Sequence, residues 1–356
     1  MKRGIIIGIV VVLLFVAGFV LDTLYVSGAF KKIEPHFAGT CKSIGGVVGT
    51  ESITIAPDGR HALASADDRR SALAGHPVPG AIWAYDLSGE TPLTNLTPDA
   101  TDEFHPHGIG LWVSPSGEGR LFVINHRDEG RKPPGEGRQT IEIYDWKPDA
   151  ITHLQTLSDP LVITPNAVIP TGPESFYVSN DHGPNGFLRN FDDFLALPRA
   201  NVIYYDGKHF QVAVSGIALA NGVNLSADGK QFYLASTLGQ ELLTYDRDPV
   251  SGALANRRVL PLGTAPDNIE RAADGTLWIG AHPQLLKLLA YAGNPASPAP
   301  AQVLKVTPGT DGGGKIEEIY LGAGQELGAA SGGAVSGERL LIATVFDDHF
   351  LDCTMK

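Results

Sequence analysis

Short runs in which apolar and polar residues alternate fill most of this chain. Examples are Gly80–Asp86 (GAIWAYD), Gln139–Asp145 (QTIEIYD), Asn201–Asp206 (NVIYYD), Gln240–Asp246 (QELLTYD) and Ala301–Thr307 (AQVLKVT). A period of two puts alternate side chains on opposite faces of an extended backbone, so these runs predict β-strands, here read as blade-ending ones. Helix-period stretches are few. Asn190–Leu197 (NFDDFLAL) predicts a short helical insertion, and the Leu285–Ala290 region fits either helix or strand. The one unbroken apolar stretch is Gly4–Leu21, which follows Lys2 and Arg3.

A longer period overlies the strand pattern. An Asp-Gly turn or a close substitute precedes a β-rich run six times. The turns are Ala56–Gly59, Ser114–Gly117, Pro170–Pro173, Ser226–Gly229, Ala272–Gly275 and Val335–Glu338. Self-similarity at about 55 residues, with about four strands per unit, is the signature of propeller blades. Six units predict an all-β, six-bladed β-propeller over residues 31–356, preceded by a separate N-terminal segment over residues 1–30. Closing the ring removes the exposed edges that the first and last strands would otherwise present.

Composition sharpens this picture. Of 356 residues, 43% are hydrophobic and 19% charged, which excludes a disordered chain. The 42 glycines and 25 prolines fall at short intervals, as in a many-turned β-protein. A net charge of −12 argues against a nucleic-acid partner. Eighteen apolar residues make a helix of about 27 Å, just enough to cross a bilayer core. The basic residues ahead of it place the bulk of the chain on the extracytoplasmic side. The run is long for a signal core, which favours an uncleaved membrane anchor; Ser27-Gly28-Ala29 keeps a cleaved, secreted form open. Spacing alone leaves the two cysteines, Cys41 and Cys353, as readily free as paired. Export into an oxidising compartment predicts a Cys41–Cys353 disulfide, which would tie the first strand to the last.

The candidate chemistry sits at one offset, six to nine residues before each turn. There the repeats carry Glu51, His107, Asn166, Asn221, Asp267 with Asn268, and Ser331 or a neighbour. That offset predicts the start of the innermost strand, beside the central channel. Glu51, Asn166, Asn221, Asp267 and Asn268 all present oxygens, two anionic and three neutral. Hard oxygen donors without thiols suit calcium. The plainer alternative is that they solvate a wet channel. His107 stands at the same offset, and His126 ends the following strand; an imidazole can take a proton from water near neutral pH, and a second can orient and relay it. His182 and His282 also end strands near the channel, whereas His105, His153 and His349 read as surface or structural. A Gly-x-Ser-x-Gly elbow and a P-loop are absent. Asn95-Leu96-Thr97 fits a glycosylation acceptor.

With these residues the chain resembles the serum paraoxonase/arylesterase family from about Cys41 to Cys353. The resemblance runs through Glu51, Phe104–Ile109, Val123–His126, Asn166, Phe176–His182, Ala220–Asn224, Asp267–Ile269, Leu277–Pro283 and Leu340–Phe346. It implies a calcium-dependent hydrolase that opens lactones or cleaves aryl esters. Glu51, Asn166, Asn221, Asp267 and Asn268 would hold the catalytic ion, His107 would be the general base and His126 would stand behind it. The family's second, structural ion uses side chains directly after the catalytic Glu and the third-blade Asn. Here those are Ser52 and Ala167, so one calcium is expected and the second absent or weak. A sugar lactonase of the wider gluconolactonase-like superfamily and a catalytically silent propeller that binds a partner are the alternatives.

Overall fold

The computed structural model describes residues 2–88, 93–127, 139–183 and 193–356. Six antiparallel sheets of four strands succeed one another along the chain, each running from the central channel outward. Blade 1 comprises Thr50–Ile55, His61–Ala66, Ala81–Asp86 and Leu93–Asn95, and blade 2 Pro106–Val113, Gly119–His126, Gln139–Lys147 and Ala150–Leu157. Blade 3 is Pro165–Pro170, Phe176–Asn180, Ala200–Tyr205 and Phe210–Ile217; blade 4 is Ala220–Leu225, Gln231–Ser236, Glu241–Arg247 and Leu254–Pro261. Blade 5 is Ala265–Arg271, Leu277–His282, Ala301–Pro308 and Gly314–Gly322, with His36–Phe37 as a fifth strand on its edge. Blade 6 takes Ala330–Ser336, Arg339–Thr344 and His349–Met355 from the end of the chain and Gly39–Gly45 from its beginning.

Second strands are apolar on both faces because a neighbouring blade packs on each side. Leu121, Phe122, Val123 and Ile124 are all fully buried, as are Phe176, Tyr177 and Val178. Outer strands lie against water and carry a weaker pattern; Thr152–Thr156 is exposed residue after residue. This explains one difference from the sequence reading. The runs ending in Tyr-Asp are third strands, not the blades' outer edges. Their tyrosines (Tyr85, Tyr144, Tyr205, Tyr245) are buried between blades, and the following aspartates engage surface arginines, as in Arg60–Asp86 and Arg120–Asp145. The Asp-Gly turns join first to second strands at the opposite end of the channel from the candidate residues. Gly59, Gly229 and Gly275 there adopt φ of 68°, 68° and 85°, the left-handed region that a glycine enters without steric cost.

Closure comes from blade 6. Cys41 and Cys353 are register partners on adjacent strands, and their sulfurs are bonded at 2.06 Å. The bridge spans 312 residues of sequence, so the unfolded chain loses much freedom through it. An N-terminal helix, α1 (Lys2–Val26), precedes the propeller; its Ile5–Val26 stretch is long and apolar enough to cross a membrane. Among the described residues, α2 (Arg69–Leu73) in blade 1 and α3 (Leu285–Gly293) in blade 5 sit in second-to-third-strand connections, so the ambiguous Leu285–Ala290 region is helical. The insertion expected at Asn190–Leu197 lies partly outside the described residues; His182 bonds to Asp181 and Asp193 beside it.

Candidate active site

Every inner strand departs from regular pairing at one place. The register shifts fall between Thr50 and Ser52, Pro106 and Ile109, Pro165 and Val168, Ala220 and Val223, Pro266 and Ile269, and Ala330 and Gly332. The residues inside those six bulges are the ones the offset had singled out: Glu51, His107, Asn166, Asn221, Asp267 with Asn268, and Ser331. A bulge leaves one residue without a ladder partner and re-aims its side chain. Repeated six times around an axis, it gathers polar side chains from all six blades about the channel.

The bulges are locked to one another by side chains at second-strand ends or just beyond. Ser65 of blade 1 donates to the His107 carbonyl of blade 2. His126 Nε2 is 2.7 Å from the Pro165 carbonyl of blade 3. Ser179 donates to the Asn221 carbonyl at 2.7 Å, and Thr237 to the Pro266 carbonyl at 2.7 Å. From blade 6, Ser331 donates to the Glu51 carbonyl at 2.8 Å, closing the circle. At the remaining interface Gly280 lies against the Ser331–Gly332 backbone so tightly that a Cβ would fall 2.3 Å from it. Blade 6 itself contributes only small residues, Ser331-Gly332-Gly333, so Asn268 reaches past it and donates to the Glu51 carbonyl at 3.0 Å and Oε1 at 3.3 Å.

The side chains at this level are buried, and several of their polar atoms have no partner. Glu51 Oε2, Asn166 Oδ1, Asn221 Oδ1 and Asp267 Oδ1 are all unpaired, one each from blades 1, 3, 4 and 5. A buried polar atom without a hydrogen bond costs about 1–3 kcal/mol, so these four oxygens, of which Glu51 Oε2 has only the Arg69 guanidinium 3.7 Å away, are placed where a ligand could meet them. The donor chemistry fits a hard cation: two carboxylates and amide oxygens. Among the described residues no three His, Cys, Asp or Glu side chains come together as a metal cage. Burial pushes the Glu51 carboxyl up, to about 7, and the nearby Asp267 charge pushes the same way, against Arg69, His282 and the Asn268 amide. A cation here would reverse that shift.

Two imidazoles complete the layer. His107 Nε2 is unpaired and 3.9 Å from Glu51 Oε1, and its ring stacks on His126 with centroids 4.6 Å apart and planes 23° apart. Stacked rings meet by their faces, so His126 holds the plane of His107 rather than passing it a proton. Burial first, then Arg69 and His126, holds the His107 pKa well below the usual imidazole value. His282 donates from Nε2 to Asp267 Oδ2 at 2.8 Å and keeps Nδ1 unpaired. One participant, Arg69, and one pairing, Asp267 with His282, go beyond what the sequence indicated. Arg69, on α2, places Nη1 3.7 Å from Glu51 Oε2 and Nη2 2.9 Å from His107 Nδ1; it lies in a non-repeating connection, where no offset points to it. The Asp267–His282 pair was legible in principle, since His282 ends the strand paired with the Asp267 bulge. His105, read as surface or structural, is buried against Asp67 at 3.0 Å.

Below this level the channel widens into a cavity of about 670 Å³ that runs to the Asp-Gly turns. Ser52 and Ala167, the positions expected to have lost a second ion, line it together with Thr54, Asn224 and Glu270. The connections at the bulge end of the blades carry exposed apolar side chains: Val48, Leu73 and Val78 between blades 6 and 1 and within blade 1, Phe194 and Leu195 in blade 3, and Leu286 and Leu289 on α3. Phe350 is a core residue packed edge-on to Tyr85.

The chain is similar to known proteins. A family model described as Arylesterase matches residues 33–355. The chain is 30% identical over 329 residues to serum paraoxonase/arylesterase 2 of Rattus norvegicus, covering 89% of this chain and 90% of the relative. It is 28% identical to serum paraoxonase/arylesterase 1 of Homo sapiens over the same shares. Among solved structures it is similar to a gluconolactonase from Xanthomonas campestris (TM-score 0.54, 16% identity, 90% of this chain and 91% of that one). The calcium-binding protein regucalcin from Agrobacterium tumefaciens is similar as well (TM-score 0.51, 14% identity, 90% and 96%). At those identities the structural likeness speaks for the fold alone.

Proposed function

Because the chain belongs to the paraoxonase/arylesterase family and is therefore an ester-hydrolysing enzyme of lactonase type, we propose that it opens lactones and cleaves aryl esters with one calcium ion held in the bulge layer. The observation that carries this reading is the ring of unpaired buried oxygens from Glu51, Asn166, Asn221 and Asp267. Asn268 completes the set through its contact with Glu51. When bound, calcium supplies Lewis-acid polarisation of the scissile carbonyl and balances the negative charge that develops on its oxygen. The protein's own share is to keep the site rigid, through the interblade bonds, and dry.

Water activation falls to a buried imidazole. His107 and His282 each aim one unpaired ring nitrogen into the layer. His107, with His126 stacked behind it, is the base the family resemblance implies. The geometry favours His282 for that step, since the Asp267 carboxylate behind Nε2 would stabilise the imidazolium formed when Nδ1 takes a proton. The exposed apolar connections at the bulge end favour hydrophobic lactones and aryl esters over polyhydroxylated sugar lactones. The same connections fit a membrane-anchored enzyme: α1 ends against α3, where Leu285 N donates to the Ser27 carbonyl at 2.9 Å, so an inserted helix would hold that end near the bilayer. The domain then lies on the extracytoplasmic side.

A second ion is not expected in the channel below, because Ser52 and Ala167 supply no carboxylate there. The test is hydrolysis of an aryl acetate and of aliphatic and sugar lactones, before and after chelation, with the fold followed by circular dichroism. Chelation should abolish turnover, leave the fold intact and be reversed by calcium. Full turnover in metal-free protein would overturn the reading, and unfolding on chelation would overturn the single-ion part of it.

A further inference from the structure

Arg69 decides what His107 can do. We propose that Arg69 is a positioning residue that fixes His107 as the tautomer carrying its hydrogen on Nε2, so that His107 acts as a hydrogen-bond donor to a substrate oxygen and not as a base. The inference rests on the hydrolase reading only for the identity of that oxygen; the tautomer itself follows from geometry.

A guanidinium has five N–H donors and no acceptor. Arg69 Nη2 lies 2.9 Å from His107 Nδ1, so the ring nitrogen must offer its lone pair there. In a neutral imidazole the hydrogen then sits on Nε2. The guanidinium is held in that position from the other side, since Nη1 donates to the Gly49 carbonyl at 3.1 Å and the Asp67 carbonyl at 3.4 Å. Glu51 Oε2, 3.7 Å away, supplies the compensating charge. The imidazole is equally constrained. Its lower face stacks on His126, and its own carbonyl receives the Ser65 hydroxyl. With ring plane, tautomer and backbone all fixed, the Nε2–H points into the layer, buried and unpartnered.

A preorganised N–H at the level where a carbonyl is to be attacked stabilises the developing negative charge, and removing one such donor costs about 10²–10³ in rate. It cannot accept a proton from water at the same time, because neither nitrogen has a free lone pair. Hydrolysis through this arrangement uses one water: its oxygen bonds to the carbonyl carbon, its proton passes to His282 Nδ1, the C–O bond breaks, and the leaving alkoxide takes that proton to become the alcohol.

The direct experiment is nitrogen-15 NMR of the full-length protein with labelled histidine, His107 being assigned by loss of its signals in His107→Gln. His107 should show an unprotonated Nδ1 and a protonated Nε2 at neutral pH. In Arg69→Met the signals should move toward a mixture of tautomers, and Arg69→Lys, which restores a donor, should bring the native pattern back. In parallel, kcat on an aryl acetate should fall about 100-fold in Arg69→Met with KM little changed and recover in part in Arg69→Lys. A native His107 protonated on Nδ1, or an unchanged tautomer in a folded Arg69→Met variant, would overturn the proposal. Because the NMR result does not depend on turnover, a chain that hydrolyses no ester would refute the hydrolase reading and leave the tautomer standing.

Discussion

The bulge layer and the closing sheet are built from the same repeated unit, yet they use it in opposite ways. In the closing sheet of blade 6 every strand finds its partner: Gly39–Gly45 pairs residue for residue with His349–Met355, and the Cys41–Cys353 bond locks the register. Arg339 adds a bidentate pair with Asp352, which also accepts from Tyr85. In the bulge layer regular pairing is interrupted in every blade, and four oxygens are left buried without a donor. The first region supplies stability that the second gives up. A propeller tolerates this because its core lies between blades, in clusters such as Leu121, Val123, Ile82 and Trp146, away from the axis. The axis is thereby free to hold unsatisfied groups for a ligand.

Substitutions that sharpen the contrast should separate activity from stability. Glu51→Gln or Asp267→Asn removes a charged ligand and should lower kcat/KM by about 10³-fold, while thermal unfolding of the calcium-free protein changes little or improves. A large loss of stability with retained activity would erase the distinction between the two regions. The reverse case is Cys41→Ser with Cys353→Ser, which should cost about 2–5 kcal/mol in denaturant unfolding and leave kcat nearly unchanged in the folded fraction. Solvent pH gives a gentler probe. The Glu51 pKa is raised in the calcium-free fold, from 4.5 to about 7, chiefly by burial. The folded state therefore binds a proton that the unfolded chain has lost between those values. The corresponding stability is fully present below about pH 4.5 and is lost as pH rises through about 7. Differential scanning calorimetry should show the calcium-free protein melting higher at pH 5 than at pH 8, with saturating calcium removing or reversing the trend; no pH dependence in the calcium-free protein would show that Glu51 is not the group at issue. The smallest effect is expected from Ser179→Ala, which removes the donor to the Asn221 carbonyl and should lower calcium affinity about tenfold.

Much of this was legible in the chain, for physical reasons that differ from residue to residue. The six turns and the runs between them announced the propeller because strands repeat their pattern at every blade. Glu51, Asn166, Asn221, Asp267 and Asn268 announced themselves by a shared offset, and the structure gives that offset its meaning: it is the position of a bulge. The outer strands were less readable, because a face against water imposes no alternation. Arg69 was not readable at all, since it acts through a loop that has no counterpart in other blades. His107 and His126 were read at a bulge offset and a strand end, but the way they meet, ring on ring, depends on orientations that a sequence does not carry.

The most direct test of the account is calcium titration of the chelator-treated protein by isothermal calorimetry, paired with lactone turnover on the same samples. The expected result is one binding site whose occupancy tracks activity, with both lost in Glu51→Gln and in Asn268→Ala. Turnover that persists at zero occupancy, or calcium binding that survives both substitutions, would contradict the assignment of the bulge layer as the seat of catalysis.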